Sequence, residues 1–351
     1  MRLSDNLIYR EDVARVAGLD LDWARLAGAD LVVSGASGMI GKFLIDAVMA
    51  RNAEWGLDCT VTAVARRQAN LRQRFAEYER QRNLVMVAHD VAAAPIDLAS
   101  ADYVVHAASN THPRAYAQDP IGTITTNVQG TLTMLELAAR ANARRTLFLS
   151  TVEIYGDNRS GAGPMSEQDM GYIDCNTLRA GYPESKRTGE ALCQAFRRQH
   201  GLDVVIPRLP RVFGPTISAD DTKALSQFLF NAVAGRDIVL KSQGHQFFSY
   251  CHVVDAVAAI LTCLFAGQSG QAYNVADPAC DISLLDLARL VAAAAGRRVV
   301  FDLPDEVERS GFSAAAVAVM DASKLSGLGW RLLYDLPTGL ERTLSVLRDV
   351  L

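Results

Sequence analysis

The 351-residue chain predicts an α/β fold in which a doubly wound parallel sheet is joined to a smaller C-terminal domain. From Ala29 onward, short β-rich runs alternate with longer segments of helical period, the pattern of βαβ units laid on a parallel sheet. Several of these runs are apolar throughout, as strands covered by helices on both faces should be. After about Pro210 the alternation gives way to a turn-rich loop and mixed elements. At this length a single hydrophobic core usually stops growing, so one large domain or two closely joined ones are expected.

Residues 1–28 form a polar, partly helical lead to which the sequence assigns no role. Strands are expected over 29–34 (ADLVVS), 59–65 (CTVTAVA), 84–90 (LVMVAHD), 102–108 (DYVVHAA), 145–151 (RTLFLST) and 203–209 (DVVIPRL). Helices are expected between them over 41–52, 125–141 and 182–199, where apolar residues recur at helical spacing. The sheet domain thus covers 29–210. A loop of turn formers (GPTISADD, 214–221) opens a mainly substrate-binding domain over 211–351, with 240–275 expected to return to the sheet domain.

Half of the residues are hydrophobic and 21% are charged, a globular balance. A net charge of -4 supplies no basic excess for a phosphate backbone, so nucleic acid is not an expected partner. Six cysteines are scattered, with no C-x-x-C and no histidine pairing, so no metal site and no disulfide framework is expected. Free thiols suit a reducing compartment. The N-terminal run MRLSDNLIYREDVARVAG carries charges of both signs without the apolar core of a secretory signal, and no apolar run reaches the roughly 18 residues of a membrane span. A cytoplasmic protein without membrane attachment is the expectation.

Directly after the first strand comes Gly35-Ala36-Ser37-Gly38-Met39-Ile40-Gly41, and the apolar helical period resumes at once. Strand, glycine turn and helix in this order form the dinucleotide loop of a Rossmann domain. Gly35 permits the tight turn, Gly38 lets the backbone approach a pyrophosphate, and Gly41 lets helix and strand pack closely. The helix N-terminus stabilises the phosphate charge, so Ser37, Met39 and Ile40 are also expected at the cofactor. At the end of the second strand a carboxylate would accept from the ribose 2′-hydroxyl of NAD, whereas an arginine accommodates the 2′-phosphate of NADP. The sequence there reads Ala65-Arg66-Arg67, which favours NADP over NAD, with Arg66 at the cofactor.

Tyr182-Pro183-Glu184-Ser185-Lys186 sets a phenol and an ammonium four residues apart, on one face of a helix. A neighbouring cation stabilises phenolate and is expected to pull the tyrosine down from its usual value of about 10. Such a phenol can serve as general base for a hydroxyl that loses hydride to a nicotinamide. The hydroxyl pair Ser150-Thr151 ends the fifth strand, where a doubly wound sheet places its ligands.

Together these motifs resemble those of the extended short-chain dehydrogenase/reductases, in the NAD-dependent nucleotide-sugar epimerase/dehydratase group. The similar segments are VVSGASGMIG, Asp90-Val91, VVHAAS, DPIGTITTNVQGTLTMLELA, LSTVEIYGD, YPESK, RVFGP, YCHVVD, AYNVADP and DASKLSGLGW, spanning residues 31–330 in the family's order. The resemblance implies that Tyr182 is the base, that Lys186 binds the nicotinamide ribose and that Thr151 hydrogen-bonds the substrate oxygen. It sets Asp90 and Val91 along the adenine, Ala107 and Ala108 under the dinucleotide, and Ser109 beside the substrate. It gives Asn127 a structural role. It also implies a homodimer built on the two helices beginning near Asn127 and Tyr182, through stripes (Leu132, Leu135, Leu137; Ala191, Leu192, Ala195) that core packing would equally explain.

The family oxidises a sugar carbinol transiently, and its members differ in the fate of the resulting ketone. In Ser150-Thr151-Val152-Glu153-Ile154-Tyr155-Gly156, valine stands where the 4,6-dehydratases have the aspartic acid that protonates the departing hydroxyl. Valine donates no proton, so ordinary 4,6-dehydration is disfavoured. Glu153 without that aspartate, and the run PRAYAQDPIGTITTN, resemble the UDP-glucuronate decarboxylases, where a C4 ketone makes a β-keto acid that loses CO2 without a base at C5. Glu153 is therefore a catalytic candidate, with a structural carboxylate as the alternative.

Three positions depart from the family. Arg211 stands where Asn is usual in R-x-x-N-x-x-G-P, Phe248 stands where an arginine commonly precedes F/Y-x-Y/H-V-x-D, and Val317–Met320 lack a second arginine before Asp321. Such groups usually hold the diphosphate, and bidentate arginine is hard to replace. Arg211 is the candidate for a compensating substrate contact. The leading expectation is transient C4 oxidation of a nucleotide sugar followed by epimerisation or decarboxylation. An NADPH-dependent carbonyl reductase of the same fold, and a non-catalytic dinucleotide-binding module, are the alternatives.

Overall fold

The computed structural model describes residues 1–111, 116, 118–158, 163–302 and 316–351. Its strands are β1 (Asp30–Ser34), β2 (Thr60–Ala65), β3 (Leu84–Ala88), β4 (Tyr103–His106), β5 (Arg145–Phe148), β6 (Ser150–Thr151), β7 (Val204–Leu209), β8 (Arg211–Phe213), β9 (Ile238–Leu240), β10 (Phe247–His252) and β11 (Ala272–Asn274), followed by three short ones. The main sheet runs β3-β2-β1-β4-β5-β7-β11, with every pairing parallel and β6 continuing beside β7. The chain builds outward from β1 to β3 and then returns to β4 on the other side of β1. That reversal opens a crevice beyond Ser34 and His106, whose side chains are joined by a 2.7 Å hydrogen bond.

The pleat explains why the strands read as continuous apolar runs. Leu31 and Val33 face one core with Phe43, Leu44 and Ile260, whereas Val32 and Val104 face another with Met134, Leu135 and Phe148. The first face is covered by α1 (Leu7–Ala17), α2 (Met39–Trp55) and a helix over Val253–Ala266. The second is covered by helices over Pro120–Arg140 and Gly181–His200, which pack on each other. With α3 (Gln68–Arg74) after β2, these are α4 (Pro120–Arg140), α5 (Gly181–His200), α6 (Ala224–Val233) and α7 (Val253–Ala266) in chain order. A second core joins α6, β8 and β10 to α8 (Leu284–Ala295) and α9 (Leu336–Val350).

Two local departures from expectation have physical causes. α4 starts at Pro120 because Asp119 caps it, accepting from the Gly122 amide, and proline tolerates the first helical turn. The expected strand over 145–151 breaks into β5 and β6 at Leu149, whose carbonyl accepts from Lys186. Of the stripes that a dimer or core packing would equally explain, Leu135 and Leu137 are buried within this one chain, while Ala191 and Ala195 of α5 are exposed.

The N-terminal lead has a structural part to play. Asn6 caps α1, the Tyr9 ring meets Phe43 of α2 edge-on, and the Tyr9 hydroxyl bonds the Asp46 carboxylate. From the same helix, Asp12 accepts from the Tyr334 hydroxyl and from Arg342, both at 2.7 Å. Residues 1–28 thereby tie α2 to α9. Among the described residues no helix is long and apolar enough to cross a membrane.

Candidate active site

The glycine loop is shaped by contacts that no side chain permits. Gly35 has a φ of +71°, and a Cβ there would lie 2.6 Å from the Ala107 carbonyl; a Cβ on Gly41 would lie 2.5 Å from the Gly35 oxygen. Gly38 precedes α2 in extended conformation with no side-chain cap, so the helix begins with unshielded amides, the arrangement that accepts a phosphate. Arg74 braces this loop: its Nε donates to the Ser37 carbonyl at 3.2 Å and its Nη2 to the Thr216 carbonyl at 2.6 Å. Thr216 in turn donates to the Met39 carbonyl at 3.0 Å. A bare cradle and an uncapped helix suit the pyrophosphate of a dinucleotide.

From this loop a cavity of about 1280 Å³ extends through the crevice. One end is lined by Arg66, Asp90 and Val91, beyond β2 and β3; Ala107, Ala108 and Ser109 follow β4; and Thr151, Glu153, Tyr182, Lys186 and Arg211 lie toward the second core. Gly35, Ser37, Gly38, Met39, Ile40 and Gly41 form its wall between. Every site residue expected from the sequence therefore meets in one cavity. Of the run PRAYAQDPIGTITTN, residues 113–115 and 117 lie outside the described residues, as part of the segment that precedes α4.

Tyr182 and Lys186 occupy the first turns of α5, both buried. The Tyr182 phenol lies beside the Thr151 and Ser109 hydroxyls, both of which favour its charged form. Ser109 is set by Asn127, whose Oδ1 accepts from it at 2.6 Å while Nδ2 donates to Ser185 at 2.8 Å, so buried Asn127 links α4, α5 and the loop after β4. The expected depression of Tyr182 by Lys186 is not what the structure shows. Burial pushes the phenol up to about 12, with the neighbouring Thr151 hydroxyl opposing. The Lys186 ammonium points to the Leu149 carbonyl at 2.9 Å and lies 4.8 Å from the Phe148 ring centroid, and burial lowers it to about 8.

Next to the phenol stands a charged cluster. Glu153 has both oxygens engaged, Oε2 by Arg179 at 2.8 Å and Oε1 by Arg211 at 3.3 Å. Val152, at the position of the missing acid, is buried. Parallel pairing of β8 with β10 sets Arg211 opposite Tyr250, and the Arg211 guanidinium lies 3.4 Å from the centroid of Phe248, two residues back along β10. The Arg179 guanidinium lies 4.6 Å from the Tyr116 ring centroid, and that ring is 4.9 Å from the Tyr182 ring. Arg179 is marked by no sequence motif, although it stands only three residues before Tyr182, and Tyr116 falls within the run PRAYAQDPIGTITTN, which does not single it out. Among the described residues no group of three His, Cys, Asp or Glu side chains is placed to hold a metal ion.

The model of the NAD dependent epimerase/dehydratase family matches residues 31–276. The chain is 29% identical to UDP-glucuronic acid decarboxylase 1 of Xenopus tropicalis over 325 residues, which cover 92% of this chain and 72% of that relative. Its fold matches UDP-glucuronic acid 4-epimerase from Bacillus cereus, solved with UDP-glucuronic acid and NAD, at TM-score 0.78 and 20% identity over 92% of this chain and 100% of the other. It also matches DesIV, the dTDP-glucose 4,6-dehydratase of Streptomyces venezuelae solved with NAD, at TM-score 0.77 and 24% identity over 91% and 97% of the two chains. The family match covers most of the chain, from the first strand of the main sheet to beyond its last, and the protein is thus an enzyme of the NAD dependent epimerase/dehydratase family.

Proposed function

We propose that the enzyme oxidises C4 of a nucleotide sugar acid transiently and decarboxylates it, on the model of the UDP-glucuronic acid decarboxylases it resembles. The observation that carries this reading is that the Tyr182 phenol, the Thr151 and Ser109 hydroxyls and Lys186 line the same cavity as the glycine cradle. The dinucleotide, when bound, supplies a hydride acceptor that later returns the hydride. Gly35, Gly38 and Gly41 leave room for its pyrophosphate, and Lys186 has donors to spare for its ribose beyond the one given to Leu149. Tyr182 must first release its own proton to solvent; as phenolate it then takes the C4 hydroxyl proton as hydride leaves that carbon, with Thr151 holding the oxygen. The C4 ketone lies β to the sugar carboxylate, so the C5–C6 bond breaks to release CO2 and leaves its electron pair on an enolate. Protonation at C5 from water, return of hydride to C4 and return of the Tyr182 proton give a pentose.

Decarboxylation is favoured over 4,6-dehydration because buried Val152 has no proton to give and Glu153 has both oxygens committed to arginines. Arg66 lines the cavity directly after β2, at the position where NAD calls for a carboxylate, which supports NADP over NAD, while Asp90 of the same end follows β3; Arg67 precedes α3 and does not line the cavity. Incubation with a panel of nucleotide sugars tests the chemistry. UDP-glucuronate should yield CO2 and a pentose nucleotide with no net consumption of dinucleotide, and stoichiometric NADPH oxidation would instead assign a reductase. Dissociation constants for NAD and NADP test the role of Arg66, and a clear preference for NAD would sink it.

A further inference from the structure

Two arginines in the cavity are built alike. Each guanidinium lies on an aromatic ring, Arg211 on Phe248 and Arg179 on Tyr116, and each gives one nitrogen to Glu153. On each, donors remain over: Nη1 of Arg211, and Nε and Nη1 of Arg179, are buried and have no hydrogen-bond partner among the described residues. A buried donor left without a partner costs about 1–3 kcal/mol, more when it is charged, so three at one place mark a group that comes from outside the chain. The charges agree, since two cations face the single carboxylate of Glu153, while the nearby Asp221 is taken by Lys223 at 2.9 Å. Planar donor forks held flat on rings suit an oxyanion of the substrate.

We propose that Arg211 and Arg179 form an oxyanion clamp for the substrate, that Glu153 is its internal counter-ion, and that Phe248 is the positioning residue which aims Arg211. The proposal rests on the nucleotide sugar acid reading and identifies which residues select the acid. It also gives two of the three departures from the family, those at 211 and 248, a common cause. Arginine is missing at 248 and gained at 211, on the strand hydrogen-bonded to β10, so the charge has moved one strand across and the vacated position carries the ring on which it lies. The oxyanion has two sources on such a substrate, the ring carboxylate and the diphosphate. The clamp adjoins Tyr182 through Tyr116, on the side of the reacting sugar.

Binding to the full-length enzyme loaded with reduced dinucleotide, which accepts no hydride, tests this by calorimetric titration with UDP-glucuronate and UDP-glucose. Arg211→Gln should weaken UDP-glucuronate at least tenfold and UDP-glucose less than threefold, at unchanged melting temperature and dinucleotide affinity. Phe248→Leu should reproduce much of that loss, Phe248→Tyr should restore it, and Arg211→Gln/Phe248→Leu should be no worse than Arg211→Gln alone. Equal loss for both ligands assigns the clamp to the diphosphate. A folded Arg211→Gln variant that binds both ligands as the wild type does overturns the clamp, and Phe248→Leu without effect overturns its positioning role. Wild-type binding of UDP-glucuronate without turnover would defeat the proposed chemistry and leave the clamp standing.

Discussion

The Lys186 ammonium donates to the Leu149 carbonyl at 2.9 Å, at the break between β5 and β6. That bond fixes the lysine by the backbone of the sheet rather than by the tyrosine one turn before it. It also separates the two residues in their consequences. Tyr182→Phe removes one hydroxyl at a site shaped by other groups, so turnover should fall by about 10²–10⁴-fold while dinucleotide affinity changes less than about threefold. Lys186→Met leaves the Leu149 carbonyl unpaired as well, and should lower both turnover and dinucleotide affinity. Steady-state kinetics with a direct dinucleotide titration checks both, and equal retention of turnover in Tyr182→Phe would overturn the assignment of the base.

Burial lowers Lys186 to about 8 and pushes Tyr182 up to about 12, so the lysine is the first of the pair to change charge as pH rises. The ammonium predominates below about pH 8 and is lost above it. Dinucleotide affinity of the free enzyme should therefore decline above about pH 8, with the phenol still protonated. A titration across pH 6–10 measures it. A binding curve flat through pH 9 would show that the charge of Lys186 is not what holds the dinucleotide.

Much of the fold and site is legible in the sequence because the determining signals are local. A parallel sheet shows itself in strands apolar on both faces, as Leu31, Val32 and Val33 are, and a dinucleotide loop in glycines at fixed offsets from a strand end. The Asp119-Pro120 start of α4 is an equally local signal, and it outranks the apolar period that begins further on. The features that stay hidden depend on pairs distant in the chain. Arg211 and Phe248 meet only because β8 lies beside β10, and Asp12 meets Tyr334 and Arg342 across almost the whole length. For Tyr182, spacing reports that a lysine is near but not where its nitrogen points or how dry the site is.

The three glycines of the loop should respond unequally to alanine. At Gly35 a Cβ combines a positive φ with contacts of 2.6 Å to backbone, and at Gly41 the nearest atom is a backbone oxygen at 2.5 Å, neither of which can yield cheaply. Both variants should lose stability and dinucleotide binding together. At Gly38 the nearest atom is 3.2 Å away, so Gly38→Ala should melt close to the wild type and still bind dinucleotide at least about tenfold more weakly, because its methyl enters the pyrophosphate approach. Thermal melting and dinucleotide titration on all three distinguish these outcomes.

Arg74 holds the Ser37 carbonyl of the glycine loop and the Thr216 carbonyl beyond β8 in one side chain. Hydrogen bonds from a charged donor contribute about 1.5–3 kcal/mol. Arg74→Met should therefore weaken dinucleotide binding by about tenfold or more and lower the melting temperature, without altering the ratio of affinities for UDP-glucuronate and UDP-glucose. A change in that ratio would mean that Arg74 acts on the substrate side of the cavity.

Asp255, in the first turn of α7, is fully buried, and burial raises its carboxyl to about 7 although the Leu333 and Tyr334 amides favour the charged form. One carboxylate oxygen accepts from the Leu333 amide, and the other has no partner among the described residues. The folded chain thus keeps a proton that the unfolded chain releases at the ordinary value of 3.8. For such a raised group the stabilising contribution is complete below about pH 4, declines as pH rises to about 7, and is lost above that. Asp255→Asn keeps an acceptor for the Leu333 amide and cannot ionise. Its melting temperature relative to the wild type should therefore climb between pH 4 and 7, by on the order of 5 °C, and level off at higher pH. Other buried carboxyls such as Asp12 and Asp46 titrate alike in both proteins and cancel in the difference. A melting difference that stays flat from pH 5 to 8 would show that Asp255 ionises in the folded protein without cost.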